Sequence, residues 1–534
     1  MIKFECGCEF PTDSLDKQKT SIDFDIHNIN FSCQKTWDLI SEGNTKGCFQ
    51  LESRLGQAMS KKLKPTNIEE LSALISILRP GCLEAYRDGK SVSYHYIDRK
   101  NGNESIDYFH SSLEPILKNT YGEMVYQEQA MEIAKDIAGF NLQEADMLRK
   151  AIGKKKPEEM AKIKTKFLDG TRSMAKVSTD EAEQIFGWIE KSQRYSFNKS
   201  HAVSYAINAY ISAYAKTHFP TIFFLSYLRL AKDKIDPQLE TLELISNAKD
   251  MGISVFGPQL KHKNKDFAII DGKIYFGLTN IKGLGDSVYQ KILSITENLD
   301  VASLDWPNTL LRILVNINSS SAKAIILSGA LDYLKISRNK MLFELNLILE
   351  LTDKEISKCL EIIHSNKINN SCDIVRLLLA NSKISKNRHP KVLSILNQLS
   401  DPSYALTDDP EWVSNNERDI LGVSISYAKT DFYDSSYANT DCKTIKTFPE
   451  NKQFFLIAEI ENMSVIVTKR GKTPGQEMCF LRLSDGAGSL DSVVMFPDDF
   501  SKYKELLLEG RVLMFNGQKN QKNNSIIAKK CFLV

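Results

Sequence analysis

Arg149, Lys150, Lys154, Lys155 and Lys156 crowd around the end of one predicted helix. Cations held at fixed positions neutralise phosphates and release counterions, so such a cluster suits a polyanion. Lysines near a helix C-terminus are also ordinary solvated residues favoured by the dipole, and for the lysines alone that reading is the better one. The stretch Asn198-Lys-Ser-His201 changes the balance, because it puts an amide, a cation, a hydroxyl and an imidazole just before a long predicted helix. Such a turn offers several donors to one anion, and a capping role for Asn198 or Ser200 is compatible with it. A third group, Lys282, Gly283 and Gly285, lies between Leu278 and Asp286, ahead of an apolar helix, and resembles a helix-hairpin-helix. Its glycines would let backbone amides approach a phosphate without sequence preference; a plain turn is the alternative. Lastly, Lys469, Arg470 and Lys472 occupy a predicted hairpin turn, where they either border a single-strand groove or keep the turn soluble.

The elements that carry these groups can be read from periodicity. Ala130, Ile133, Ala134 and Ile137 keep helical spacing, and Gly139 sits where a terminating glycine belongs. Asn141 with Glu144, and Ser178 with Glu181, read as capping boxes, while Gly153 ends one helix and Pro157 opens another. Ser72 to Leu78 is apolar enough for a buried helix stopped at Arg79-Pro80-Gly81. Val203, Ile207, Tyr210 and Tyr214 form a further stripe ended by Pro220, with its tyrosines read as core. Residues 333–409 are helical with two polar breaks, and Tyr427 to Thr447 reads as a polar linker. From Gln453 the pattern turns to short alternating strands, Phe455–Ile460 and Val465–Lys469 being halves of one bent strand. With a helix around Tyr503 to Leu507 between the third and fourth strands, this order fits an OB-fold barrel. The fold class is therefore multidomain α+β, largely helical and followed by a C-terminal β-barrel.

A chain of 534 residues holds several domains. Its net charge is only +2, so any nucleic-acid surface has to be local. No apolar run is long enough to span a membrane, and ten scattered cysteines argue for reduced thiols in a cytoplasm. Cys6 and Cys8, with His27 and Cys33, have the chemistry of zinc ligands. A lone C-x-C pair is no standard knuckle, however, and free thiols with no assigned metal are the reading here.

Several words of this sequence resemble the alpha subunit of bacterial DNA polymerase III, the family C polymerases. They are Phe49-Gln-Leu-Glu-Ser53, Leu78-Arg-Pro-Gly81, Thr120-Tyr-Gly122, Tyr126-Gln-Glu-Gln129, Ala138-Gly-Phe140, Ala145-Asp-Met-Leu-Arg-Lys-Ala151, Gly153 to Pro157 and Phe197-Asn-Lys-Ser-His201. They stand in family order from about Cys33 to Leu228, with weaker likeness beyond. The resemblance implies an N-terminal extension over 1–30, polymerase fingers over 31–235, a helix-hairpin-helix region over 236–345, a helical region and linker over 346–450, and an OB-fold over 451–534. It implies that Arg149, Lys150, Lys154, Asn198, Lys199 and His201 face the incoming deoxynucleoside triphosphate or the template, and that the later domains hold primer-template DNA. Family members hold magnesium on palm aspartates, and Asp23-Phe-Asp25 imitates that pair. Its context matches instead the segment after the palm. The expectation is thus a split polymerase, of viral or mobile-element kind, whose catalytic aspartates and magnesium sit on a separate palm-containing chain. A non-catalytic DNA-binding accessory protein is the alternative. Gln398-Leu-Ser-Asp begins like the family's sliding-clamp motif, but Pro402-Ser-Tyr follows, and clamp binding stays open.

Overall fold

The computed structural model describes residues 2–3, 8–10, 26, 29–154, 157–192, 196–365, 368, 370–381, 384–468, 474–520 and 526–534. The chain divides into two compact units, with the change at Phe223/Phe224. No described helix is long and apolar enough to cross a membrane.

The first unit is helical and is built around α1 (Ile68–Ile77), of whose 10 residues 8 are buried. Asn67 caps it by accepting from Glu70 N at 2.9 Å, and Pro80 opens the next helix, so the apolar run stops where its sequence predicts. The stretch between Gly122 and the end of the unit supplies α2 (Gln127–Ala138), α3 (Leu142–Lys154), α4 (Pro157–Met174), α5 (Thr179–Ser192) and α6 (Lys199–His218). α6 packs along α1. Its buried face differs from the expected stripe: Ala202, Ala206, Ala209, Tyr210, Ala213 and Tyr214 are inside, whereas Val203 and Ile207 are only half-buried. The distance between packed helices is set by the side chains between them, and a row of methyl groups brings α6 close to the enclosed α1 where branched residues would hold it off. The core tyrosines are as read, with Tyr210 at 0 % and Tyr214 at 3 % exposure.

Helices α2 to α5 enclose a second core that includes Ile133, Ile137, Leu148, Phe167 and Phe186. Gly139 ends α2 at φ 66°, and both capping boxes form: Glu144 N to Asn141 Oδ1 at 3.0 Å with Asn141 N to Glu144 Oε2 at 3.0 Å, and Ser178 N to Glu181 Oε2 at 2.8 Å. α3 runs one residue past the expected stop, to Lys154. A Cβ on Gly170 of α4 would lie 2.1 Å from the Ala138 carbonyl oxygen, so that crossing depends on a missing side chain.

In the second unit, helix Pro237–Asp250 and a three-stranded sheet (Val255–Phe256, Ala268–Ile270, Lys273–Tyr275) precede the turn that leads to helix Asp286–Ile295. Helices Arg338–Ile348, Asp353–Ser365, Ser371–Asn381 and His389–Ser400 match the predicted helical stretch and its breaks. Gln398 lies inside the last of these. The chain then forms a closed five-stranded barrel: β1 (Gln453–Val467), β2 (Glu477–Ser484), β3 (Ser489–Met495), β4 (Val512–Lys519) and β5 (Ile526–Leu533). β1 pairs with both β2 and β4, and β3 runs parallel to β5, which is the OB-fold order. β1 is the single long strand expected, with a register shift between Ile460 and Asn462.

Two expectations need correction. The helix after β3 spans Pro497–Tyr503, not Tyr503 to Leu507, because Pro497 at its first turn with Asp498 and Asp499 makes the stronger start signal, while Leu507 enters the barrel core. Tyr427 to Thr447 is no free linker, since it forms short 3-10 turns and buries Cys442 and Ile445 against the barrel.

A polar knot holds the front of the first unit. Glu104 accepts from Lys90 Nζ at 3.0 Å, His95 Nδ1 at 2.8 Å and Arg99 Nε at 2.8 Å. Arg99 also donates to the Tyr121 carbonyl at 3.2 Å, fixing the Thr120-Tyr-Gly turn. Burial alone would raise the Glu104 carboxyl, but the bonds from Lys90, His95 and Arg99 outweigh it and bring it from 4.5 to about 2. The ionised form therefore stabilises the fold in full above pH 4.5, and this contribution is lost as pH falls from 4.5 through about 2. Glu104→Gln should cost roughly 2 kcal/mol at neutral pH. The gap to the unmodified chain should narrow across that acid window in urea unfolding; a gap independent of pH would refute the assignment.

Candidate nucleic-acid interface

The first unit brings together five of the words singled out in the sequence. Phe197 N donates to Val125 O at 3.0 Å and Gln127 N donates to Phe197 O at 3.0 Å, so the segments pair as a short parallel bridge. Gln129 supports it from inside: its Oε1 accepts from Val125 N and Tyr126 N, both at 2.9 Å, while its Nε2 donates to Thr120 Oγ1 at 2.7 Å. The Arg79 guanidinium stacks 3.9 Å from the Phe197 ring centroid, and Lys199 Nζ lies 5.6 Å from that of Tyr126. His201 packs between Phe197 and Tyr205, at 5.2 and 4.0 Å, and Tyr205 meets Phe49 at 5.1 Å. Beside them a cleft of about 200 Å³ is lined by Gln50, Ser53, Leu55, Ile75, Leu78, Arg79 and Pro80.

The predicted residues divide by role. Asn198 is the N-cap of α6: its Oδ1 accepts from His201 N at 2.9 Å and from Ser200 Oγ at 2.7 Å. Glu128, at the start of α2, accepts from Asn198 Nδ2 at 2.7 Å and from Lys199 N at 2.9 Å. Two backbone donors at this helix end, Lys199 N and His201 N, are thus engaged within the chain, and the turn also presents outward the Lys199 ammonium and the exposed His201 ring. Arg149 and Lys150 stand on α3 and share Asp146, at 2.8 and 2.6 Å. Their hydrogen bonds, Lys150 first, hold the Asp146 carboxyl below its ordinary value. No described hydrogen bond, ion pair or ring contact joins this pair to the Asn198–His201 turn. Lys154 closes α3, with its side chain outside the described residues.

In the second unit Gly283 has φ 90° and Gly285 caps helix Asp286–Ile295. Lys282 N donates to Ile420 O at 3.0 Å and Ser321 Oγ donates to Gly283 O at 3.0 Å, so the turn is fixed from behind. Lys282, Gly283 and Gly285 are all exposed, and a Cβ built on either glycine meets no atom within 4 Å. For Gly285, whose φ is an ordinary −80°, neither packing nor backbone strain demands glycine. The space in front of it is free for an incoming group. The turn is preceded by one 3-10 turn, Leu278–Asn280. Lys469, Arg470 and Lys472 lie outside the described residues, as do Asp23, Asp25, Cys6 and His27.

Among the described residues one group of three potential metal ligands converges, Cys8 with Cys33 and His218. Thiolates and imidazole suit a soft ion, and magnesium takes oxygen. This group of ligands therefore does not suit magnesium.

Two participants were given no individual role from the sequence. Arg79 was read as part of a turn; an exposed cation between a buried helix and Pro80 was the available signal. Glu128 carried none, since its partners lie 70 residues away.

Residues 12–175 match the finger domain of the bacterial DNA polymerase III alpha subunit, and residues 252–341 match a helix-hairpin-helix motif. The chain is 30% identical over 509 residues to a DNA polymerase III subunit alpha of Aquifex aeolicus (strain VF5), covering 94% of this chain and 39% of that protein. It is 31% identical over 505 residues to one of Staphylococcus aureus (strain MRSA252), covering 94% of this chain and 42% of the relative. The chain thus spans about two fifths of the length of these curated relatives.

Asn198 is a joint between two helices, and its removal has a separable signature. Asn198→Ala should cost about 1 kcal/mol by loss of the cap. Asn198→Asp keeps a capping oxygen but sets a carboxylate against Glu128 2.7 Å away, so it should be no more stable than the alanine variant. Full rescue by aspartate in thermal unfolding would show that the Glu128 contact is immaterial.

Proposed function

From the kinship of this chain to DNA polymerase III alpha subunits over nearly all its length, we propose that it serves template-directed DNA synthesis in replication, as the fingers and DNA-holding portion of such a polymerase. The observation that carries the reading is the convergence of five family words on the Tyr126/Phe197 bridge, with Arg79, Lys199 and His201 turned to the same cluster of rings. Fixed cations and rings at such a place orient a deoxynucleoside triphosphate and a templating base, and offset phosphate charge as it redistributes. Phosphoryl transfer depends mainly on these two contributions. Asn198 acts here through the cap, by aiming Lys199 and His201. Arg149 and Lys150 add positive charge on α3, and Lys154 is assigned with them to the nucleotide or the template.

The second unit holds primer-template DNA. The exposed turn at Lys282, Gly283 and Gly285 suits the sugar-phosphate backbone, and the barrel suits single strands. The nucleotidyl-transfer aspartates belong, on this reading, to a palm on a separate chain.

Primer extension with magnesium and four deoxynucleotides tests the proposal, using this chain alone and then with a DNA polymerase III alpha palm supplied as a second chain. Synthesis is expected only in the mixture. Lys199→Ala or Arg149→Ala should lower incorporation by roughly tenfold or more while leaving DNA affinity nearly unchanged. DNA binding retained by a chain that never supports synthesis would favour the non-catalytic accessory role instead.

Gly285→Ala separates the DNA-backbone reading from plain turn geometry. Its stability should be unchanged or slightly raised, because the φ suits alanine. Affinity for duplex DNA should fall by roughly fivefold, the equivalent of one hydrogen bond of about 1 kcal/mol. Undiminished affinity in fluorescence anisotropy would remove the turn from the interface.

A further inference from the structure

We propose that Cys8, Cys33 and His218 form a zinc site that fastens the N-terminal segment to the end of α6. The three residues come from separate places: Cys8 adjoins the short hairpin of Ile2–Lys3 and Glu9–Phe10, Cys33 caps helix Gln34–Ser41, and His218 is the last residue of α6. Their ligand atoms all lie within 4.8 Å of one another, and Cys33 Sγ is 3.4 Å from His218 Nε2. Around a tetrahedral zinc, with bonds of about 2.3 Å to sulfur and 2.0 Å to nitrogen, ligand atoms sit about 3.5 to 3.8 Å apart. A single ion therefore fits with a shift of roughly an ångström at the widest pair.

The donor set selects the ion. Two thiolates and an imidazole, without a carboxylate, are the soft and borderline ligands that zinc takes from proteins. Both cysteines are inaccessible, at 1 % and 0 % exposure, where two neighbouring thiols have little use in surface redox exchange. Outer contacts are also in place: Asn30 Nδ2 points at Cys8 Sγ at 3.9 Å, and the Asn30 carbonyl accepts from Tyr210 Oη at 2.8 Å and from Cys33 N at 3.2 Å. Partners of this kind hold metal ligands in orientation. The fourth tetrahedral position is not supplied by these three residues.

Such an ion closes a loop of 185 residues between Cys33 and His218. It anchors the C-terminal end of the helix whose N-terminal end carries Lys199 and His201, and its binding free energy adds to that of folding. The inference is independent of any role in DNA synthesis.

The test is metal analysis of the full-length chain, purified reduced in metal-free buffer. About one zinc per chain is expected, with a thiolate-to-cobalt charge-transfer band after exchange with cobalt. Cys33→Ser and His218→Ala should each lose the zinc, whereas Cys531→Ser, in the barrel, should keep it. The cobalt spectrum of the unmodified chain decides the matter should a variant fail to fold. Absence of both zinc and the cobalt band, zinc retained in both site variants, or a Cys8–Cys33 disulfide in the freshly purified chain would each overturn the proposal.

Discussion

Two backbone hydrogen bonds between Phe197 and the Val125–Gln127 segment hold the first unit's surface in register. Each is worth about 1 kcal/mol net, too little to close a long loop unaided. The intervening chain supplies the remainder, because α2 to α5 bury Leu148, Phe167 and Phe186 in one core and return Phe197 to the start of α2. Once there, the strand bridge fixes side chains that the core cannot reach. Arg79 finds a ring, Lys199 finds another, and Glu128 finds the Asn198 cap. Packing delivers the segments, and polar geometry sets their alignment.

The second unit follows the same division of labour with stronger charges. Arg338, 3 % exposed, donates to Glu417 at 2.7 Å, to Asp332 at 2.6 Å and to the Leu327 carbonyl at 3.0 Å. The other Glu417 oxygen accepts from Ile425 N at 2.7 Å and Ser426 N at 2.8 Å. A buried pair satisfied this completely contributes little net stability over apolar packing, yet removing one partner leaves an uncompensated charge. It therefore enforces one arrangement of the helices behind the Lys282–Gly285 turn. Helix Pro410–Leu421 belongs to the network and also supplies the Ile420 carbonyl to Lys282 N. Its Arg418 reaches Glu459 of the barrel at 3.1 Å, so the glycine turn and the barrel are tied to one helix.

Much of this was legible in the sequence where the signal is local. Gly139, the Asn141/Glu144 and Ser178/Glu181 boxes, and the stop at Pro80 are decided by residues within one helical turn, and they form as read. The strand order of the barrel was accessible through alternation and turn residues. What escaped depends on partners distant in sequence. The alanine face of α6 is defined by α1, and hydrophobicity alone ranks Val203 and Ile207 above the alanines that are inside. Cys442 and Ile445 look like polar linker until the barrel wall covers them. The likeness of Cys8 and Cys33 to metal ligands was visible, but His218 becomes their neighbour only through the course of α6.

The chain's positive charge is small, so the location of its uncompensated part matters more than its total. Arg149 and Lys150 share one aspartate, which leaves that trio with a net single charge spread over one half-buried and one exposed side chain. Arg79 and Lys199 are held differently, over the faces of Phe197 and Tyr126. A ring orients a cation through its quadrupole and does not neutralise it. The full charge of both groups therefore remains available to a phosphate, with less side-chain freedom left to lose on binding. Aromatic partners thus preorganise a binding cation where a carboxylate would consume it. On the proposed reading, Arg79 and Lys199 are therefore better suited to an anion than Arg149 and Lys150, whose charge Asp146 partly offsets.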